Sequence, residues 1–133
     1  MVSDVLVIGS GISGITFSIK LALINPEINI ILISKSNLME TNTRYAQGGI
    51  AVVSNFKKDS FKKHIDDTLK AGAGECNENV VDFVIKEGKE RIRELISWGT
   101  KFDTYQNKLD LAREGGHSEN RILHHKDQTG EEI

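Results

Sequence analysis

Residues 5–14 read Val5-Leu6-Val7-Ile8-Gly9-Ser10-Gly11-Ile12-Ser13-Gly14, four consecutive apolar residues running straight into a Gly-x-Gly-x-x-Gly turn. An apolar, helix-like run follows. A second apolar stretch, Ile28-Asn29-Ile30-Ile31-Leu32-Ile33, comes next. Strand, glycine turn, helix and strand within one βαβ length is the order of a dinucleotide-binding unit. Gly9 permits the tight turn out of the strand, Gly11 allows a pyrophosphate to approach the backbone, and Gly14 lets the helix pack on the sheet. The helix start then offers free N–H groups and the positive end of its dipole to phosphates.

The rest of the chain must be compatible with that unit. At 133 residues, with 38% hydrophobic content and a net charge of −2, it is sized for one domain and carries no basic footprint for nucleic acid. The single cysteine, Cys76, excludes an internal disulfide and suits a reducing compartment, here the cytoplasm. Met1 leads into a strand with no room for a signal peptide, and the run Ile12–Ile24 is too short for a bilayer and interrupted by Lys20. No membrane attachment is therefore expected. The final residues, Thr129-Gly130-Glu131-Glu132-Ile133, read as a capped helix start, so the chain reads as the front part of a longer protein.

The first helix is predicted over Ser13–Leu23, closed by Asn25-Pro26, with Ile12, Ile15, Ile19 and Leu23 facing the sheet. Asp59 is expected to cap a helix over Ser60–Ala71, with a Phe61, Ile65, Leu69 stripe, His64 on the surface and Gly72 as the stop. Asn77 is expected to cap a helix over Glu78–Trp98. Its core face would be Val80, Val81, Val84, Ile85, Ile92, Leu95 and Ile96, its outer charges solvated, and Gly99 its end. Gly88 in mid-helix suggests close packing. Cys76 reads as structural.

Three stretches carry chemistry beyond the turn. After the second strand stand Ser34 and Lys35, where a ribose-binding Asp or Glu is common. Lys35 could pair with a 2′-phosphate, as in an NADP site, or Ser34 and Lys35 could contact the ribose or adenine of a flavin cofactor. Asn42-Thr43-Arg44-Tyr45-Ala46-Gln47-Gly48-Gly49 then combines hydrogen-bonding side chains with a flexible Gly-Gly pair. Arg113-Glu114-Gly115-Gly116-His117-Ser118 repeats that composition, followed by Arg121, His124 and His125. Arg113 or Arg121 could grip a carboxylate, Glu114 an ammonium group, and His117 could titrate near neutral pH. His117, His124 and His125 lack metal-site spacing, so no metal is expected.

Taken together, Gly9 to Gly14, Ser34-Lys35, Asn42 to Ala51, Ala71-Gly72-Ala73-Gly74, Arg113 to Ser118 and Arg121 to His124 resemble the L-aspartate oxidases, in order, along nearly the whole chain. These enzymes belong to the succinate dehydrogenase/fumarate reductase flavoprotein group. The Ala46-Gln47-Gly48-Gly49 loop is shared by that wider group, whereas Arg113 to Ser118 is particular to the oxidases.

The resemblance implies an α/β fold: a Rossmann-like FAD-binding βαβ unit with helical segments, the N-terminal part of a larger two-domain flavoprotein. Residues 1–133 would be an incomplete FAD-binding domain. It implies non-covalent FAD, held through Gly9, Ser10, Gly11, Ile12, Ser13 and Gly14 at the pyrophosphate, Lys35 at the adenosine end, and Asn42, Thr43, Arg44, Tyr45, Ala46, Gln47, Gly48 and Gly49 along the ribityl chain and flavin. The activity implied is oxidation of L-aspartate to iminoaspartate, with electrons passed to oxygen or fumarate. This is the first step of NAD synthesis from aspartate, with a functional link to quinolinate synthase. Glu114 matches the substrate-orienting glutamate; the catalytic arginine belongs to a capping domain beyond Ile133. These 133 residues alone would then have little oxidase activity and hold FAD poorly. Alternatives are a succinate dehydrogenase or fumarate reductase flavoprotein fragment, a non-catalytic nucleotide-binding fragment, and an NADP module using Lys35. Asn42 speaks against the dehydrogenase, whose counterpart is a histidine bonded covalently to FAD.

Overall fold

The computed structural model describes residues 2–133. Strand β1 (Val5–Ile8), helix α1 (Ile12–Ile24) and strand β2 (Ile30–Ile33) form the expected βαβ unit. β1 and β2 pair in parallel, with Val5 opposite Ile30 and Ile8 opposite Ile33. The Gly9 N–H continues the ladder by donating to the Ile33 carbonyl at 2.8 Å. α1 ends at Asn25, whose N–H still reaches Leu21, just before Pro26.

The orientation of α1 differs from the sequence expectation. Ile12, Ile15, Ile19 and Leu23 are exposed. The less exposed positions Gly14, Ser18 and Leu21 follow at i, i+4 and i+7. Gly14 sets this choice. A Cβ there would lie far inside van der Waals contact with the Gly9 carbonyl oxygen and against Val7. The helix thus meets the strand through its smallest residue, and its isoleucines point away. Of β1, Val7 is buried while Leu6 and Ile8 are 54% and 79% exposed.

The buried core lies elsewhere. β3 (Ile50–Ala51) pairs antiparallel with β6 (Ile122–Leu123), and Val52 extends the pairing through its N–H to the Arg121 carbonyl at 2.8 Å. Val52, Ile92, Phe102 and Leu123 pack together, with Ile50, Leu95 and Leu111 around them. Helices α2 (Phe61–Ala71) and α3 (Glu78–Ser97) pack on each other beside this cluster. Between α3 and β6, strands β4 (Thr104–Tyr105) and β5 (Lys108–Leu109) form a hairpin. Its two turn residues, Gln106 and Asn107, have positive φ, as a primed turn requires.

The helix ends show how local chemistry and tertiary contacts divide the work. Asn77 caps α3 as expected, accepting from the Val80 N–H at 3.3 Å, and Gly99 ends it at φ +111°. α2 is capped by Ser60, not Asp59. Asp59 does accept the Ser60 N–H, but its carboxylate is turned inward toward Arg121. The final helix α4 (Thr129–Glu132) begins at Thr129, which was expected to be its cap. The buried Thr129 hydroxyl instead accepts the His125 N–H at 3.0 Å.

Only part of the predicted α3 core face is covered. Ile85 and Ile92 are buried and Val81 and Leu95 half-buried, while Val80, Val84 and Ile96 are exposed. Seven apolar residues span a wider arc than one packing partner covers. The outer charges pair along the helix, for example Lys86 with Asp82 and Arg93 with Glu90. Among the described residues no helix is long and apolar enough to cross a membrane.

Gly88 faces the core, yet a Cβ there would lie 3.6 Å from Val52 Cγ2, an ordinary contact. Gly88→Ala should therefore raise the unfolding free energy by about 0.5–1 kcal/mol, measured as an increased urea midpoint with an unchanged slope.

Candidate functional site

The glycine turn presents its backbone as an anion cradle. Gly9 takes φ +113° and turns the chain out of β1. Among the described residues, the N–H groups of Ser10, Gly11, Ser13 and Gly14 have no protein acceptor. The remaining N–H of this arc, from Ile12, donates to the Thr43 hydroxyl oxygen at 3.0 Å. Undonated N–H groups at the first turn of a thirteen-residue helix are the donor set a pyrophosphate needs. The residues present therefore fit a dinucleotide.

Thr43 also joins the first predicted stretch to the second. Its oxygen accepts from Ile12, which leaves its own proton free to donate. The loop 41–49 is thereby held beside the cradle. Within it, several side chains are already engaged. Tyr45 donates to Glu40 at 2.6 Å, and that bond is the main reason the Tyr45 phenol is shifted up from its usual range. Arg44 pairs with Glu131 of α4 at 3.0 Å. Asn42, Gln47 and Gly48 are exposed. The Ser10 hydroxyl is buried and donates to the Leu38 carbonyl at 2.7 Å, so only the Ser10 backbone N–H is free for a phosphate. Lys35 is exposed at the end of β2.

The third stretch closes on the second. The Glu114 carboxylate stands over Gly48 and Gly49, and the Gly49 N–H donates to its Oε1 at 3.5 Å. The strand pairing of β3 with β6 brings these loops together, since Gly49 precedes β3 and Glu114 lies in the segment bridged to β6 through Ala112 and Ile122. The cradle, the 41–49 loop and Glu114 thus form one continuous line.

Two sequence expectations fail here. Arg121 is not free to grip a substrate carboxylate: its side chain is 0% exposed and lies in a buried ion network. Its Nε and Nη2 donate to both oxygens of Asp59 at 2.8 and 2.7 Å, and its Nη1 to Asp67 at 2.6 Å. Arg113, by contrast, is exposed. His64 is not on the surface: it is buried against His117, with ring centroids 5.6 Å apart. Its helical position lies just off the apolar stripe, and that edge of α2 faces the 113–121 segment.

The charges respond to this packing. Burial pushes the Asp59 carboxyl up, but the Arg121 hydrogen bond, the Ser60 N–H and the Arg121 charge together leave it below the usual carboxylate range. Burial likewise opposes ionisation of Asp67, yet donors from Ser118 and Arg121 bring it down to about 2. Arg121 is held more firmly protonated by the two carboxylates, against its own burial. His64 is lowered to about 4, first by burial and then by the charge of Arg121. Its Nδ1 has no hydrogen-bond partner.

Two features were not legible in the sequence. Gly130 of α4 packs on the 41–49 loop: its N–H donates to the Ala46 carbonyl at 2.9 Å, and a side chain would collide with the Thr43 carbonyl. A cavity of about 450 Å³ opens beside Ser10 and Thr43, between the outward isoleucines of α1, Leu95 of α3, the following Trp98, and α4.

A family model described as "FAD binding domain" matches residues 4–133. The chain belongs to this FAD-binding family. FAD is accordingly its cofactor, in place of the NADP alternative. The resemblance to the L-aspartate oxidases is borne out. The chain is 44% identical over 137 residues to an L-aspartate oxidase of Yersinia pestis, covering 99% of this chain and 25% of that protein. It is 44% identical over 131 residues to a chloroplastic L-aspartate oxidase of Oryza sativa subsp. japonica, covering 98% and 20%. Among solved structures, an E. coli quinol fumarate reductase FrdA chain superposes with a TM-score of 0.91 at 31% identity, covering 98% of this chain and 22% of that one. The Mycobacterium smegmatis Sdh1 complex gives 0.87 at 30%. The chain thus spans about a quarter or less of the length of these relatives.

The buried His64 sets a pH dependence. Its native pKa of about 4 lies below the unfolded value of 6.5, so between these values the unfolded chain binds more protons and stability falls as the pH drops. From pH 7 to pH 5 the protein should lose about 2 kcal/mol, read from urea unfolding, and His64→Gln should largely abolish that slope. A further loss, from Asp67, should set in as the pH falls below about 5, ahead of its ordinary pKa of 3.8, and continue through its native value of about 2.

Proposed function

We propose that this chain is part of an L-aspartate oxidase, forming the N-terminal part of its FAD-binding domain. The observation that carries the reading is the Glu114 carboxylate standing over Gly48 and Gly49 at the far end of a loop whose near end, Thr43, touches the phosphate cradle. The similarity to named L-aspartate oxidases over almost all of this chain supports it.

In this reading the backbone of Gly9, Ser10, Gly11, Ile12, Ser13 and Gly14 takes the pyrophosphate, with the Thr43 proton as an added donor. Lys35 stands at the adenosine end. Asn42 to Gly49 runs along the ribityl chain and flavin, with side-chain contacts coming from Asn42 and Gln47, because Arg44 and Tyr45 are paired within the protein. Asn42 has no nucleophilic nitrogen, so the cofactor is held without a covalent bond. Glu114 faces the substrate's ammonium group and orients the α-carbon. A negative charge there favours L-aspartate over succinate, which has no ammonium to offset it. When bound, FAD supplies the acceptor for the hydride of the α-carbon and relays the electrons to oxygen, giving hydrogen peroxide, or to fumarate. The carboxylate-binding arginine would come from the capping domain, as Arg121 is already paired. The link to NAD synthesis and to quinolinate synthase follows from the product, iminoaspartate. The lone Cys76 suits a cytoplasmic setting.

The second reading is a succinate dehydrogenase or fumarate reductase flavoprotein, favoured by the solved structures that this chain superposes on. Asn42 and the placement of Glu114 weigh against it.

Anaerobic bleaching of the flavin bands separates the two: L-aspartate, and not succinate, should bleach them in the full-length protein. Glu114→Gln should lower kcat/KM for L-aspartate at least tenfold, or about 1.4 kcal/mol, with flavin content unchanged. Parallel loss of FAD and activity would contradict the role given to Glu114.

A further inference from the structure

The Glu114 carboxylate is held by almost nothing of its own. The residue is exposed, and its one hydrogen bond, from the Gly49 N–H, is long at 3.5 Å. Its position therefore depends on how the backbone carrying it is pinned. On one side the pin is the strand pairing: Ala112 exchanges backbone bonds with Arg121 and Ile122 at 3.0–3.1 Å. On the other side no strand exists. From Arg113 to His117 the chain turns through Gly116 at φ +85°, closed by the His117 N–H on the Glu114 carbonyl at 3.3 Å.

The second pin is a side chain on α2. Asp67 Oδ2 accepts both the backbone N–H and the hydroxyl of Ser118, at 2.8 and 2.7 Å. The same oxygen accepts Arg121 Nη1 at 2.6 Å, and that guanidinium nitrogen also lies 3.2 Å from His117 Nδ1. A guanidinium only donates, so His117 Nδ1 is the acceptor and its ring proton is on Nε2. Asp59 grips the opposite side of Arg121 with both oxygens, which keeps the guanidinium from swinging away. One carboxylate thus fixes Ser118 directly and His117 through Arg121, four and three residues past Glu114.

We propose that Asp67 is a positioning residue for Glu114: through Ser118 and the Arg121–His117 contact it holds the 113–118 loop so that the Glu114 carboxylate stays over Gly48 and Gly49. The proposal rests on the reading of Glu114 as the group that meets the substrate's ammonium. Asp67 touches neither substrate nor cofactor. Its effect is on selectivity, since a displaced Glu114 weakens recognition of an ammonium-bearing dicarboxylate and does not weaken that of one without an ammonium.

The test uses the full-length, FAD-loaded protein with Asp67→Asn, Ser118→Ala and Glu114→Gln, alone and combined. KM and kcat for L-aspartate, the inhibition constant of succinate and the flavin content are measured. Asp67→Asn should raise KM for L-aspartate about tenfold, with the succinate constant unchanged or lowered and flavin retained. In the Glu114→Gln background the same substitution should change KM less than about twofold, because its effect passes through Glu114. Ser118→Ala should act in the same direction, and Ser118→Thr should restore the wild-type value. Parallel changes for L-aspartate and succinate, or a full tenfold effect on top of Glu114→Gln, would overturn the proposal. If Asp67→Asn yields no folded protein, Ser118→Ala decides by the same two readouts. Unchanged aspartate kinetics in Glu114→Gln would remove the underlying reading and the proposal together. Impairment by Glu114→Gln with no effect of Asp67→Asn or Ser118→Ala would remove the proposal alone.

Discussion

The arrangement of the site depends on one buried guanidinium. Arg121 has no exposed side-chain surface, and its charge is met by Asp59 and Asp67. Asp59 precedes α2, Asp67 lies within it, and Arg121 leads directly into β6. The ion network therefore fixes helix α2 to the strand that pairs with β3. Taking Arg121 and Asp59 out of water is costly, and such a network is weak evidence of net stability. It does tie the register: removing Asp59 would leave the buried guanidinium short of its bidentate counter-charge, which costs about 3–5 kcal/mol. Alternative registers of the 113–121 segment are thereby penalised.

That fixed register is what lines up three distant pieces of chain. The cradle after β1 and the 41–49 loop meet through a single Ile12 to Thr43 hydrogen bond. The loop then enters β3, whose partner β6 carries the Glu114 segment on its other side. Phosphate recognition at one end is a backbone property, set by glycines and a helix start. In the proposed function, substrate recognition at the other end would be a side-chain property, set by the Glu114 carboxylate. The distance between them is spanned by a loop whose outward groups are Asn42, Gln47 and two glycines, a lining suited to a flat ligand.

The packing is uneven. Val52, Ile92, Phe102 and Leu123 form a closed core, whereas Leu6, Ile8, Phe17 and Ile33 of the βαβ unit are exposed. A parallel sheet is ordinarily covered on both faces. Relatives of similar sequence are four to five times longer.

Through its resemblance to known flavoenzymes the sequence pointed to the FAD family; by itself it determined the βαβ unit and the helix limits within about two residues. These are local properties: apolar runs, glycine spacing, an Asn cap and a proline stop act over a few residues and read directly. The tertiary structure alone decided which face of α1 meets the sheet, because the deciding contact is the Gly9 carbonyl against Gly14, not the period of the isoleucines. It alone showed that Arg121 and His64 are buried, since Arg121 depends on Asp59 and Asp67, more than fifty residues before it, and His64 on the distant His117. It placed Gly130 against Thr43 and Glu114 against Gly49. A residue's type gives its chemistry, but whether that chemistry is turned to a ligand or spent on a neighbour depends on which distant side chain reaches it first.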